Sequence, residues 1–378
     1  MEQNEIKPTE KRSFIREILE SIDNETISFA GGLPDESLFP IEDLAKASEQ
    51  VFKNKKHFQY TISNGITPLR EKIAKFYSDE GFETKPSNIL ITTGSQQALF
   101  IIAKYFQNKE IVIEKPSYLG AVNIFKMNNL SMRPVALDYD GINIKEFNNI
   151  YPSIKLAYLI PDFQNPKASL YSQTKRDAIV KTVLKNKGYI IEDTPYSELY
   201  FEQKAKSISA ETPNNSFHLG SFSKTLSPSL RIGWVRANEK IISALTQIKE
   251  TIDLHSSGIS QYILDEYLKD ENRYKKHLEL LRYEYKNKME YFVKSLQEEL
   301  PNFVFEKPKG GMFVYGKLPG VDTKALVYKA LKKKVVYVPG VEFYLDDSVS
   351  DEIRFNYTHS TKEEISIGLQ RLKSILKG

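Results

Sequence analysis

The sequence has no cysteine among its 378 residues. Disulfides, zinc–thiolate centres and thiolate nucleophiles are thereby excluded. Long apolar runs are missing too. Ala98 to Ala103 (ALFIIA) is typical of the longest, and it falls far short of the roughly 20 residues a helix needs to cross a bilayer. The opening stretch, MEQNEIKPTEKRSF, is polar and lacks the apolar centre of a signal peptide. Charge of one sign is scarce: the net charge of +4 is small for this length and spread along the chain, which argues against a nucleic-acid partner. There is no internal repeat and no low-complexity tract. These absences set the expectation of a cytoplasmic protein with no membrane partner and no metal.

What remains has the texture of a globular enzyme, with 40% hydrophobic and 27% charged residues. The length exceeds what one core usually holds, so two domains are expected. From Ile89 to Arg236, short apolar strands alternate with amphipathic helices. Strands are predicted at 89–93, 111–114, 155–160, 189–193, 217–222 and 231–236, and helices at 96–106, 118–127 and 173–186, the last ended by Gly188. Such alternation implies an α/β fold, a mostly parallel sheet with helices on both faces. After Gly258 the pattern becomes α+β. Helices are predicted at 259–268, 273–296 and 361–376, with strands near 303–305, 312–315, 335–338 and 353–357. The expected division is an N-terminal arm and helix at 1–27, a large domain at 45–258, and a smaller α+β domain made of 28–44 and 259–378.

The segment Gly220 to Arg231, GSFSKTLSPSLR, sets one lysine among hydroxyls with an arginine seven residues on. A P-loop is ruled out, because Ser223 stands where that motif needs glycine before the lysine. No G-x-G-x-x-G follows a strand, so a dinucleotide fold has no support. The other use of a lysine beside anion binders is an imine with pyridoxal phosphate, which needs an amine, a phosphate cup and a carboxylate at its ring nitrogen. Ser221, Ser223 and Arg231 can supply the cup.

The remaining parts are present elsewhere, each with a plainer reading beside it. Thr93-Gly94-Ser95-Gln96 hands a strand to a helix, where backbone N–H groups bind anions; Ser95 would serve equally as a helix cap. Asp193 ends the strand YIIED where open α/β sheets bind ligands, and it can hold a ring nitrogen protonated or stand as a loop acid. Tyr196 and Asn165 can donate to the ring's phenolic oxygen, although Asn-Pro is also a turn signal. Tyr118 can stack on the ring or simply pack. Arg354 alternates with Ile353 and Phe355 in IRFNYT, and suits bidentate capture of a carboxylate or a surface edge.

These residues, in this order, identify the chain as resembling fold-type I pyridoxal-phosphate aminotransferases of class I/II. Its nearest likeness is the branch holding 2-aminoadipate and kynurenine-type enzymes. The likeness runs through SFAGGLPDESLFP (28–40), QYTISNGITPLR (59–70), ITTGSQQALF (91–100), PSYLGA (116–121), LIPDFQNP (159–166), EDTPYSELYF (192–201), LGSFSKTLSPSLRIGW (219–234), KPKGGMFV (307–314), VPG (338–340) and IRFNYT (353–358). The resemblance implies that Lys224 is the cofactor's lysine and general base, and that Asp193 partners the ring nitrogen. Asn165 and Tyr196 then bind the phenolic oxygen, Tyr118 stacks, and Ser95, Gln96, Ser221, Ser223 and Arg231 cup the phosphate. It further implies that Arg354, Asn165 and the Gly32 backbone hold the substrate α-carboxylate. Tyr60 would reach the neighbouring subunit's phosphate in a homodimer with shared active sites. The chain departs from the usual pattern with Lys167-Ala168 in place of Thr-Gly, Thr194-Pro195 in place of Asp-Ala, and Ser229 in place of glycine. None of these removes a cofactor ligand, but Lys167 and Ala168 lack glycine's freedom in that turn.

The implied reaction moves an amino group from an L-amino acid to a 2-oxo acid. Glutamate and 2-oxoglutarate form one couple, and 2-aminoadipate or an aromatic or aliphatic amino acid belongs to the other. Arg16, on the amphipathic segment SFIREILESI, either meets a side-chain carboxylate or is a solvated charge. Two alternatives share the same residues. One is a different reaction of the cofactor, a β-lyase or decarboxylase. The other is a non-catalytic effector-binding relative like the sensing halves of certain transcription regulators; these carry a DNA-binding domain ahead of the SFAGGLP segment, where only residues 1–27 stand here.

Overall fold

The computed structural model describes Ile18, Glu20, residues 22–346 and residues 351–376. Its strands, in chain order, are β1 (Ile27–Ser28), β2 (Ile89–Thr92), β3 (Glu110–Lys115), β4 (Ser131–Asp138), β5 (Gly141–Ile142), β6 (Leu156–Leu159) and β7 (Tyr189–Asp193). There follow β8 (Ser216–Ser221), β9 (Gly233–Arg236), β10 (Val304–Phe305), β11 (Phe313–Lys317), β12 (Val335–Val336), β13 (Val338–Pro339) and β14 (Glu352–Asn356). Eight of them form one sheet in the order β2-β9-β8-β7-β6-β3-β4-β5. Its centre, from β8 through β4, is parallel, whereas β9 runs antiparallel to both β2 and β8. The central strands are buried end to end, as continuous apolar runs require when helices cover both faces.

A second sheet, β10-β11-β14-β13, is antiparallel throughout. Helix Glu271–Glu299 leads toward it from the large sheet, capped at its start by Asp270, whose side chain accepts from Asn272 and Arg273. Residues 27–36 join this second body. β1 pairs with β12, and the Asn356 N–H donates to the Phe29 carbonyl at 2.8 Å. Lys288 on the long helix bonds the Asp35 carboxylate at 2.6 Å, pinning the chain where it leaves Gly32.

Three local readings need correction. Helix Gln173–Asn186 ends on Lys187, which itself takes the left-handed conformation at φ 51°; Gly188 has another task. A Cβ on Gly188 would lie 2.4 Å from the Tyr151 hydroxyl and 2.8 Å from the Lys155 carbonyl, so this glycine is a site of close packing. β9 begins at Gly233, not at residue 231, because Arg231 is left-handed at φ 52° and closes a turn at Pro228–Leu230. Ser95 is not a cap: helix Gly94–Tyr105 starts before it. The doubt over the turn after Asn165 is resolved by Ala168, which adopts φ 56°, a conformation that usually falls to glycine.

Candidate active site

The carboxyl ends of β2, β7 and β8 meet the amino end of β9 along one edge of the large sheet. The register of β9 brings Gly233 opposite both Thr92 and Ser221. Two separate loops therefore converge. From one comes the first turn of helix Gly94–Tyr105, whose leading N–H groups have no carbonyl partner within the helix. From the other come Ser221, Ser223 and Arg231. The Ser221 hydroxyl donates to Ser223 Oγ at 3.0 Å and accepts from the Ser223 N–H at 3.1 Å. The Arg231 guanidinium donates to the Thr93 carbonyl at 3.3 Å, and a Cβ on Gly94 would stand 2.7 Å from its Nη2. Only glycine lets the cation close over the helix start. The result is a concave set of hydroxyls, N–H groups and one guanidinium, which matches a phosphate dianion.

The helix start is held from behind. Gln97 donates to Asp253 Oδ2 at 2.6 Å and accepts from the Thr93 N–H at 2.8 Å. Asp253 also accepts from Lys249, which is wholly buried, at 2.6 Å. None of these three was singled out from sequence. Lys249 and Asp253 sit four residues apart near the end of helix Glu239–Asp253, and that i, i+4 pairing is the signal that could have found them.

Lys224 follows three residues after β8. Its ammonium donates to the Gly32 carbonyl at 2.8 Å. Burial, with the Arg231 and Arg354 guanidinium groups nearby, pulls its pKa from 10.5 down to about 8. Asp193 closes β7 and is buried. The Tyr158 hydroxyl donates to its Oδ2 at 2.8 Å, while Oδ1 has no partner among the described residues. Burial lifts this carboxyl from 3.8 to about 7. A buried oxygen without a donor is costly. A cationic N–H aimed at it would relieve that cost, and a protonated pyridine nitrogen is such a group.

Asn165 is buried midway along the loop after β6. Its Nδ2 donates to the Tyr196 hydroxyl at 3.2 Å and its Oδ1 accepts from Arg354 Nη1 at 2.8 Å. Arg354 also donates through Nη2 to the Ala30 carbonyl at 2.5 Å. Its Nε is buried without a partner among the described residues, and the rings of Phe313 and Phe343 lie 4.3 and 5.0 Å from the guanidinium carbon. Burial brings its pKa down to about 10, so it stays cationic at neutral pH. A guanidinium flanked by rings, with one donor unused, is suited to an incoming carboxylate. The Tyr118 ring lies over Gly120, where a Cβ would come within 2.5 Å of it.

The structure thus forms two bonded groups, Lys224 with Gly32 and Arg354 with Asn165 and Tyr196, joined through the backbone from Ala30, which Arg354 bonds, to Gly32, with Asp193 ending a strand beside them. Ser95 and Gln96 stand in the first turn of helix Gly94–Tyr105, opposite Arg231. Tyr60 is apart: it is 79% exposed, edge-on to His255 at 5.7 Å. Arg16 lies outside the described residues. A separate cavity of about 730 Å3 opens behind, between residues 194–207 and the first turns of helix Glu271–Glu299. Among its charges Lys204 bonds Glu80 and Glu198, and Arg282 bonds Glu198 at 2.8 Å; of the residues above only Ser221 reaches it. No helix among the described residues is long and apolar enough to cross a membrane.

Known proteins similar to this chain include aminotransferases. The profile of the family described as aminotransferase class I and II matches residues 26–372. An aromatic-amino-acid aminotransferase from Thermococcus litoralis is 35% identical over 97% of this chain and 92% of its own length. An α-aminoadipate aminotransferase from Thermus thermophilus, crystallised with N-(5'-phosphopyridoxyl)-L-leucine, superposes with a TM-score of 0.90 at 33% identity, covering 97% of this chain and 95% of that one. A kynurenine aminotransferase from Pyrococcus horikoshii superposes with a TM-score of 0.92 at 31% identity, covering 98% and 95%.

Proposed function

The chain belongs to the class I and II aminotransferases, pyridoxal-phosphate enzymes of fold type I, and from that membership we propose how its own residues divide the work. Lys224 holds the cofactor's aldehyde carbon and Asp193 its ring nitrogen. Asn165 and Tyr196 bind the phenolic oxygen, Tyr118 covers one face, and Ser95, Gln96, Ser221, Ser223 and Arg231 take the phosphate. When bound, pyridoxal phosphate supplies an electron sink for bond breaking at the substrate Cα. Arg354 grips the substrate α-carboxylate through its unused donor, with Asn165 fixing its orientation and the Gly32 backbone alongside. Once the substrate amine has displaced it from the cofactor's aldehyde carbon, the freed Lys224 amine would take the proton from Cα and deliver it to that carbon, a task suited to a base titrating near the working pH. One observation carries this reading: the buried Asp193 Oδ1 has no partner among the described residues, in a site whose lysine is already held near neutrality.

We further propose glutamate and 2-oxoglutarate as one couple, with 2-aminoadipate or an aromatic or aliphatic amino acid in the other. Aromatic amino acids and 2-aminoadipate appear in the names of similar enzymes, which supports the second couple. We also propose the division into an arm at 1–27, a large domain at 45–258 and a small one at 28–44 with 259–378, a reading supported by the presence of two separate sheets. A cytoplasmic homodimer is proposed from the exposed aromatic group Phe52, Phe58, Tyr60 with Ile62 and Leu254, an apolar surface that a second copy would cover. Tyr60 would then reach the other subunit's phosphate.

The test is the visible spectrum of the purified protein with single amino acids and no acceptor. A band of lysine-bound cofactor that glutamate bleaches, with 2-oxo acid released and no ammonia or carbon dioxide, is expected. Ammonia or carbon dioxide as stoichiometric products would assign a lyase or decarboxylase instead.

The depressed pKa of Lys224 adds a kinetic expectation. Only the neutral amine attacks an aldehyde. With half the amine neutral at about pH 8, the rate at which apoprotein takes up pyridoxal phosphate should rise from pH 7 and level off above pH 9. Stopped-flow absorbance measures it. A rate still climbing about tenfold from pH 8 to pH 9 would show an ordinary lysine.

A further inference from the structure

A second strand of the large sheet carries a buried acid near its carboxyl end, as β7 does. In β3 the apolar run Ile111-Val112-Ile113 is followed by Glu114, one residue before the strand ends at Lys115, and Glu114 is 1% exposed. Among the described residues nothing cationic bonds it. Instead, neutral donors from the loop after β6 surround it. The Ile160 N–H reaches Oε1 at 2.9 Å, the Tyr171 hydroxyl reaches Oε1 at 2.6 Å, and Gln164 Nε2 reaches Oε2 at 2.9 Å. These three donors span both ends and the middle of the segment that carries Asn165.

Gln164 is the hinge of the arrangement. Wholly buried, it also donates to the Pro116 carbonyl at 3.0 Å. Its Oε1 accepts from the Lys167 N–H at 2.7 Å, and its backbone carbonyl accepts from Ala168 at 2.6 Å. Every polar group of Gln164 is thus spent on holding its own loop, and the next residue is Asn165. Asn165 in turn bonds both Tyr196 and Arg354. An unbroken series of contacts therefore runs from Glu114 through Gln164 to the groups assigned above to the cofactor's oxygen and the substrate's carboxylate.

We propose that Glu114 is a positioning residue for substrate binding, acting through Gln164 to fix Asn165 and hence the Arg354 guanidinium. The inference rests on the role given to Asn165 and Arg354 under the proposed function. A carboxylate suits the task because it offers only acceptors, and all its partners here are donors. Burial raises its pKa to about 7, and the three donors work against that rise. Glu114 touches neither cofactor nor substrate.

The experiment uses Glu114→Gln and Gln164→Leu, singly and together, in the holoenzyme. In Glu114→Gln the new amide keeps one acceptor for Tyr171 and Ile160 but turns an N–H2 toward the Gln164 N–H2. The break falls on the contact with Gln164. Expected is a KM for the amino acid raised about tenfold, with kcat changed less than about threefold, and cofactor affinity lowered by less than the KM rises, because the series meets the cofactor only at its phenolic oxygen and leaves the phosphate cup intact. Gln164→Leu should give the same split. The double variant should lose no more than either single one, since both break one series of contacts. A KM within about twofold of the parent in both single variants, with only a lower urea midpoint, would overturn the proposal and leave Glu114 a fold residue. Losses that multiply in the double variant would overturn it as well. Should Glu114→Gln fail to fold, Gln164→Leu still tests the same contact from its other side. If the parent enzyme shows no lysine-bound cofactor band, it is the site reading that fails, and this comparison is not reached.

Discussion

Lys224→Ala is expected to lower the transamination rate by roughly 10⁴-fold or more, because it removes a positioned general base and the amine that anchors the cofactor. The fold should survive it. The ammonium bonds the Gly32 carbonyl, and Gly32 is only half-buried, so water can replace the donor. Cofactor should still bind through the phosphate cup and Asp193, but without the band of the lysine-linked form. Two measurements separate loss of chemistry from loss of structure. One is the thermal midpoint, which should stay close to that of the parent. The other is rescue: methylamine fits the space left by the side chain, and the rate should rise in proportion to its concentration. A variant that keeps the parent band, or an activity within about tenfold of the parent, would show that another amine does this work.

Asp193→Asn should cost on the order of 10²–10³-fold in kcat, the size expected when a charge placed to stabilise a developing charge is lost. The amide cannot keep a pyridine nitrogen protonated. The same substitution has a thermodynamic signature. Burial holds the Asp193 carboxyl near pKa 7, above its ordinary 3.8. Between those values the folded apoprotein binds more protons than the unfolded chain, so its stability falls as pH rises from about 4 to 7. A pyridinium N–H on the vacant Oδ1 stabilises the charged carboxylate and cancels that loss. The gain in melting temperature on adding cofactor should therefore grow with pH across this window in the parent and stay flat in Asp193→Asn. A parallel rise in both proteins would mean that Asp193 does not meet the ring.

Much of this was legible in the sequence because the chemistry lies at the ends of apolar strands. β2, β3, β6 and β7 each carry a run of three or four apolar residues, and the buried ends of β7 and β8 are where Asp193 and Ser221 lie. β4 had no such signal. Ser131–Asp138 alternates in exposure, contains Pro134, and is flanked over most of its length by β3 alone, with only Leu137 and Asp138 paired to β5. An outer strand tolerates proline and polar residues that a central one cannot. Helix Glu239–Asp253 has no counterpart in the expectation either, although Ile241, Ile242 and Leu245 line its buried face. Tyr158 escaped notice because it reads as one more bulky residue in KLAYLI. Only the pairing of β6 with β7 reveals that its hydroxyl reaches Asp193.

The reversed direction of β9 has one more consequence, in the order of folding. Gly233 pairs with Thr92 on one side and Ser221 on the other, and a Cβ there would press on Gly94 and Ser95 at 2.8 Å. The anion cup therefore exists only after two segments far apart in the chain have both docked on β9. Contacts of such sequence separation form late, since loop closure must come first. A nascent or half-folded chain would have little hold on the cofactor, and uptake of pyridoxal phosphate would act as a proofreading step that reports completion of the whole sheet.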